Sequence, residues 1–265
     1  MSKMVKCPLP WILVTCQFIL CGFTVSHVGA ETTSASQLKL GAEYDVAISI
    51  SIPPGSGAPE QSVKMTGELT FNNPAEGGLA PVKLLPFQFR LTDIAMTSQG
   101  EEMLAEDRAK LLQDPKLRVG GKLLCDEQGI LGFYDCTGDV SLVSLLRRSL
   151  RLRFTERPTK RWVVSAPSYR KADGPLMTHV LDASSSQDEE SIVIRLEGER
   201  TIELEKDEGE IFTIAEEMRC WVNSTTRTLE RIEYHCSRVR TRGEEVILRV
   251  DEQVELKLAS PGPKL

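Results

Sequence analysis

The chain has 265 residues, of which 41% are hydrophobic, 26% charged and 6% aromatic, and its formal net charge is −6. This composition excludes a chain disordered throughout, a collagen-like repeat and a multi-span membrane protein. Its acidity also argues against nucleic acid as a partner of the molecule as a whole.

Residues Met1 to Ala30 carry two lysines (Lys3, Lys6), no acid, an apolar run from Trp11 to Val25 and the small-residue ending Val28-Gly29-Ala30. That pattern predicts a secretion signal over 1–30, cleaved to leave Glu31 as the first residue of a periplasmic or extracellular protein. Losing both lysines moves the net charge from −6 to −8. Pro8, Pro10, Gln17 and Ser26 interrupt or flank the run, which disfavours a retained membrane anchor. Neither Cys16 nor Cys21 follows the small residue expected before a lipidated cysteine.

From Tyr44 onward apolar and polar residues alternate with period two. Tyr44, Val46, Ile48, Ile50 and Ile52 form one face of a first strand, which Pro53-Pro54-Gly55 ends. Val63, Met65, Gly67, Leu69 and Phe71 form a second that pairs with it as a hairpin, and Phe87, Phe89 and Leu91 mark a third. Residues 101–113 read as a short helix. Asp139 caps a second helix reaching Leu150, with Val140, Val143, Leu146 and Leu150 on one stripe, and 157–160 reads as a linker.

Beyond it, 192–196, 201–204 and 211–214 read as short strands separated by acidic turns. Val246, Leu248, Val250, Val254, Leu256 and Leu258 share one face of the last strand, interrupted by Glu252, and 261–265 is a tail. The fold class is therefore mainly β: antiparallel sheets in two similar units, 31–155 and 156–260, with one or two short helices. The segment 63–71 parallels 194–202 with Gly, Glu and Thr in place, which raises duplication of one unit as an explanation.

Four cysteines follow the signal, and an even number in an exported chain suggests disulfides. Each pair brackets a polar turn, so local bonds are expected, Cys125 with Cys136 and Cys220 with Cys236. Their spacings, with His179 and His235 apart, are not those of a structural zinc site, and no metal or other cofactor is expected. The Gly-x-Ser-x-Gly elbow, the His-Glu-x-x-His helix and the phosphate-binding Gly-x-x-x-x-Gly-Lys-Ser/Thr loop are absent from the sequence. Acids such as Asp126, Glu127, Glu216 and Glu217 are abundant, but a hydrolytic pair cannot be chosen among them without distances.

A run of bases including Arg147, Arg148, Arg151 and Arg153 stands out in an acidic chain. It suits either an anionic surface or a solvated helix face that pairs with the protein's own acids. Asn223-Ser224-Thr225 would accept a glycan in a eukaryotic secretory pathway.

The entry Leu40-Gly41-Ala42-Glu43-Tyr44 into a long strand, and Trp162 after a Pro-bearing linker, give a layout that resembles uncharacterised bacterial exported proteins. More distantly it is similar to the half-barrel lipoprotein carriers of the periplasm. The resemblance implies a curved antiparallel sheet with a helix on its concave side, binding an apolar ligand. The expected function is that of an exported, non-catalytic binding or structural protein of the cell envelope. A lipid or other apolar ligand would lie against Tyr44, Val46, Ile48, Met65, Phe87 and Phe89. A hydrolase with an unrecognised acidic site is the alternative.

Overall fold

Period-two patterning carries through to the structure. The computed structural model describes residues 40–72, 83–126, 129–150, 162–170, 176–187, 190–203 and 210–259. The expected signal, Arg151, Arg153, the linker and the tail lie outside them.

The strands are β1 (Glu43–Ile52), β2 (Gln61–Phe71), β3 (Lys83–Ser98), β4 (Glu101–Glu102), β5 (Val119–Asp126) and β6 (Gly129–Thr137). They continue as β7 (Trp162–Arg170), β8 (Leu176–Gln187), β9 (Ser191–Glu203), β10 (Glu210–Asn223), β11 (Leu229–Arg242) and β12 (Glu245–Leu258). The helices are α1 (Ala105–Gln113) and α2 (Val140–Ser149). All twelve strands join one antiparallel sheet in the order β6-β5-β3-β2-β1-β12-β11-β10-β9-β8-β7, with β4 pairing only to the end of β3.

The expected pair of sheets is thus one sheet with two flanks. Strands before residue 155 form one flank, strands after it form the other, and the β1–β12 ladder from Tyr44↔Leu258 to Ser51↔Asp251 joins them. The paralleled segments 63–71 and 194–202 do not occupy equivalent places: β2 is next to β1, whereas β9 is three strands beyond β12. Residues 192–203, which fall in two expected strands, run as the single strand β9 through Gly198, which lies opposite Glu216. The first helix is shorter than expected because Glu101 and Glu102 turn back onto Ser98 and Thr97 as β4, about Gln99 and Gly100 at positive φ.

The inner face holds the core. Tyr44, Val46, Ile48, Met65, Leu69, Phe87, Phe89, Leu123, Ile194, Leu196, Ile232, Val254 and Leu256 all join one buried cluster, with Leu142, Leu145 and Leu146 of α2 and its C-cap Leu150. Helix α2 touches both β6 and β11, which stand six strand spacings apart. A flat sheet would separate them by roughly 29 Å, while a ten-residue helix is only about 15 Å long. The sheet therefore curls around α2.

Outward-facing residues form charged ladders: Glu217 takes Arg195 at 3.3 Å and Arg219 at 2.9 Å, and Arg231 reaches Glu255 at 2.8 Å while lying 5.2 Å over the Trp221 ring. These exposed pairs keep that face in water and contribute little each to stability.

Candidate functional site

Polar groups are rare in a core built from alternating strands, so the inner face is most informative where it stops being apolar. One row of the sheet places Gly198, Glu216, Cys236, Glu252 and Ile50 opposite one another on β9, β10, β11, β12 and β1. Two carboxylates thus flank a thiol on adjacent strands, and both are buried. Adjacent Glu217 and His235 fall on the outer face, as period two requires. His235 and Cys236 consequently point apart, which removes the geometry that a shared metal would need.

Helix α2 lowers Arg148 onto this row. Asp139 starts the helix by accepting hydrogen bonds from Ser141 N and Leu142 N, both at 2.9 Å, and the turn so fixed sets Leu145, Leu146 and Leu150 into the core. Arg148, at the flank of that stripe, donates to Glu252 Oε2 at 2.7 Å and to its own helix's Ser144 Oγ at 3.0 Å. Arg238, from the next inward position on β11, holds the other oxygen of Glu252. In the row below, Tyr234 Oη donates to Glu216 Oε1 at 2.6 Å.

Burial and the Glu216 charge push the Tyr234 hydroxyl well above its ordinary pKa. The same two causes, burial first, raise the Cys236 thiol to about 11. Burial opposes the charge of Arg148, but Tyr234 and Glu252 more than offset it, so its pKa lies above the ordinary arginine value. A thiol held protonated is a poor nucleophile, and a carboxylate gripped by two guanidiniums is badly placed to activate water. The arrangement binds charge and anchors a helix more readily than it does chemistry.

Beyond this row the inner face carries Arg238, Arg240 and Arg242 at alternate positions of β11, with Phe212 and Leu248 opposite Arg240, and Ile214 and Val250 opposite Arg238. Glu210 lies beneath Arg240 and Arg242 and is ion-paired to both. Burial would raise its pKa, but those two guanidiniums outweigh it and hold the carboxyl below the usual range.

The structure distributes the expected site residues unevenly. Tyr44, Val46, Ile48, Met65, Phe87 and Phe89 do come together, as core residues at most 6% exposed. Of the basic run, Arg148 is turned inward onto Glu252 and Arg147 stands 5.8 Å over the Phe133 ring, so these two do not form a joint surface patch. Asn223 donates to Glu230 Oε1 at 3.0 Å and its own Oδ1 caps the turn to Thr225 and Thr226.

The cysteine pairing is corrected by register. Cys125 faces Ile130 while Cys136 Sγ lies beside Gly121, and Cys220 faces Ile232 while Cys236 faces Glu216. Each pair is offset by four residues, roughly 13 Å along a strand, far beyond disulfide reach. A hairpin joins only residues equally distant from its turn, and neither pair is so placed.

The arginines of β11 and Tyr234 were not among the expected site residues. Their signal was present: Ser237-Arg238-Val239-Arg240-Thr241-Arg242 continues the inward register of Tyr234 and Cys236. Glu252 did announce itself, as the break in an apolar face.

No family model and no curated protein matches this chain. Among solved structures it is similar to one titled as lipid–protein interactions in lipovitellin, with a TM-score of 0.50 and 8% identity over 82% of this chain. The likeness is one of fold. The match spans 25% of the lipovitellin chain, so a β-rich sheet architecture is what the two share.

Proposed function

We propose that this chain is an exported, non-catalytic binding protein of the cell envelope that holds a lipid or other amphipathic ligand against the inner face of its curled sheet. The observation that carries the reading is a continuous apolar surface, reaching from Leu123 on β5 through Tyr44 and Leu256 to Leu196 on β9, onto which one ten-residue helix is seated. That helix and its C-cap add four leucines, Leu142, Leu145, Leu146 and Leu150. Burying a leucine is worth roughly 1.5–3 kcal/mol, and an acyl chain of similar area can take the place of these side chains.

A pocket beside Arg148, Leu196, Met218 and Tyr234 holds about 10 Å³, the space of a single water. A ligand entering at this place must therefore displace α2, whose charged contact with Glu252 gives it a polar seat rather than a purely apolar one. Lipovitellin, whose structure is titled for its lipid interactions, supports a sheet of this kind as a lipid support.

Native mass spectrometry after mild extraction, together with displacement of a fluorescent fatty acid, tests the reading. A co-purified lipid and micromolar probe binding are expected. A lipid-free protein that ignores the probe would leave a structural role instead.

A further inference from the structure

We propose that α2 is a hinged lid: it swings about Gly138 and Asp139, is held shut near its far end by Arg148 on Glu252, and yields the place of its leucines to the apolar chain of the ligand. The inference rests on the ligand-binding reading above and names the part that moves.

The helix is a cover rather than a buried rod. Leu142, Leu145, Leu146 and the C-cap Leu150 are buried, while Val140, Ser141 and Arg147, on the opposite side of the helix, are exposed. The leucines belong to the apolar cluster, and only near the end of the helix does Arg148 reach the row of Glu216, Cys236 and Glu252. A chain lying where the leucines lie therefore stops at that row instead of crossing it.

Two non-helical residues join β6 to the helix. Gly138 takes φ +106° against the Arg118 carbonyl oxygen, a conformation and a closeness that a side chain would forbid, and Asp139 is extended at ψ 128°. Element-terminal residues of this kind absorb the backbone rotation of a hinge. Asp139 N donates to the Lys116 carbonyl oxygen at 2.6 Å, which fixes the point about which the helix swings.

The latch is built to be undone. Arg148 meets Glu252 at 2.7 Å with the two side chains 20% and 5% exposed. Breaking a buried pair is costly mainly because it strands a charge, and here Arg238 keeps the other oxygen of Glu252 when Arg148 leaves. The remaining polar groups of the contact travel with the helix: Ser144 Oγ accepts from Arg148, and buried Ser149 donates to the Leu146 carbonyl oxygen at 3.1 Å. Nε of Arg148, buried without a hydrogen bond to a described residue, gains water on opening. A helix fixed as core gains nothing from a charge at this place, since a well-packed apolar side chain is at least as stable there.

The test uses the full chain, native-state hydrogen exchange and binding of a fluorescent fatty acid. The amides of Val143 to Ser149 are expected to open locally while those of β10 and β11 stay protected. Arg148→Gln is expected to quicken α2 exchange about tenfold relative to β10 and to tighten the probe by about the same factor, because apparent affinity scales with the open fraction. Arg148→Lys keeps a charge for Glu252 and should stay near native. Ser144→Ala removes only the partner of Arg148 within the helix and should move both readouts the same way, by about threefold.

Exchange of α2 only together with β10, in the native chain and in Arg148→Gln alike, would overturn the lid, and probe binding in that case would leave the carrier reading standing. A probe weakened by Arg148→Gln would overturn the lid as well, since a latch opposes the ligand. Local opening quickened by Arg148→Gln with no probe bound to any variant would keep the hinged helix and sink the carrier reading itself. Should Arg148→Gln not fold, Ser144→Ala decides.

Discussion

Gly67 stands where the inner face has no room for a side chain. A Cβ there would come within 2.6 Å of both the Phe89 ring and the Arg90 carbonyl oxygen, and the second of these is backbone that cannot rotate away. Gly67→Ala is expected to cost about 1–3 kcal/mol, the usual penalty of overpacking, read as a lower urea midpoint with an unchanged slope. Cys236 gives the residue scale a second test, through pH. Its thiol lies between Glu216 and Glu252 with Tyr234 and Arg148 nearby, and its pKa is raised from 9.0 to about 11. The folded state therefore binds the proton more tightly than the unfolded chain, so this contribution is complete below pH 9 and is lost as the pH rises toward 11. At about 1.4 kcal/mol per pKa unit the loss approaches 2–3 kcal/mol. Cys236→Val lacks that dependence, so the stability difference between the native chain and the variant should shift in favour of the variant across this window. A constant difference from pH 8 to 11 would contradict the assignment.

At the scale of elements, the two helices differ in how they begin. Asp139 caps α2 with two hydrogen bonds, and Asp139→Ala should cost about 1 kcal/mol, whereas Asp139→Asn keeps an acceptor and should cost little. Helix α1 starts at Leu104, which is 70% exposed and offers its helix no side-chain acceptor. Leu104→Ser should therefore stabilise the protein by about 0.5–1 kcal/mol, measured by thermal unfolding.

The legible elements were those whose pattern faces one environment. β1, β2 and β12 alternate cleanly because one face is core and the other water, and α2 was marked by Asp139. Of the stripe expected on α2, Leu146 and Leu150 are buried and Val143 packs against the core, but Val140 is 81% exposed and Leu142 and Leu145 join the buried face. A leucine-rich helix offers more than one apolar stripe, and the sheet selects among them. The charged inner face was hidden for the opposite reason. Arginine at alternate positions reads as a solvated strand face, and only the register of β11 against β10 and β12 shows that Arg238 continues the row of Tyr234 and Cys236.

For the whole molecule, the order of strands makes a claim about cooperativity. The first and last strands of the sheet's two flanks, β1 and β12, pair at its middle, so the central ladder is the one with the longest sequence separation. Tyr44 reinforces it, since its hydroxyl donates across β12 to the Leu229 carbonyl oxygen at 2.8 Å while accepting from Gly41 N at 2.7 Å. The buried residues of both flanks belong to one cluster, and α2 touches β6 of one and β11 of the other. Neither flank then keeps a complete core without its partner. Native-state hydrogen exchange should show the amides of β2 on one flank and β10 on the other opening with the same free energy, equal to that of global unfolding. The outermost strands β6 and β7, each with one edge unpaired among the described residues, should exchange by smaller local openings. Two separate plateaus, one for residues before 155 and one for residues after it, would mean that the flanks are independent units despite their shared sheet.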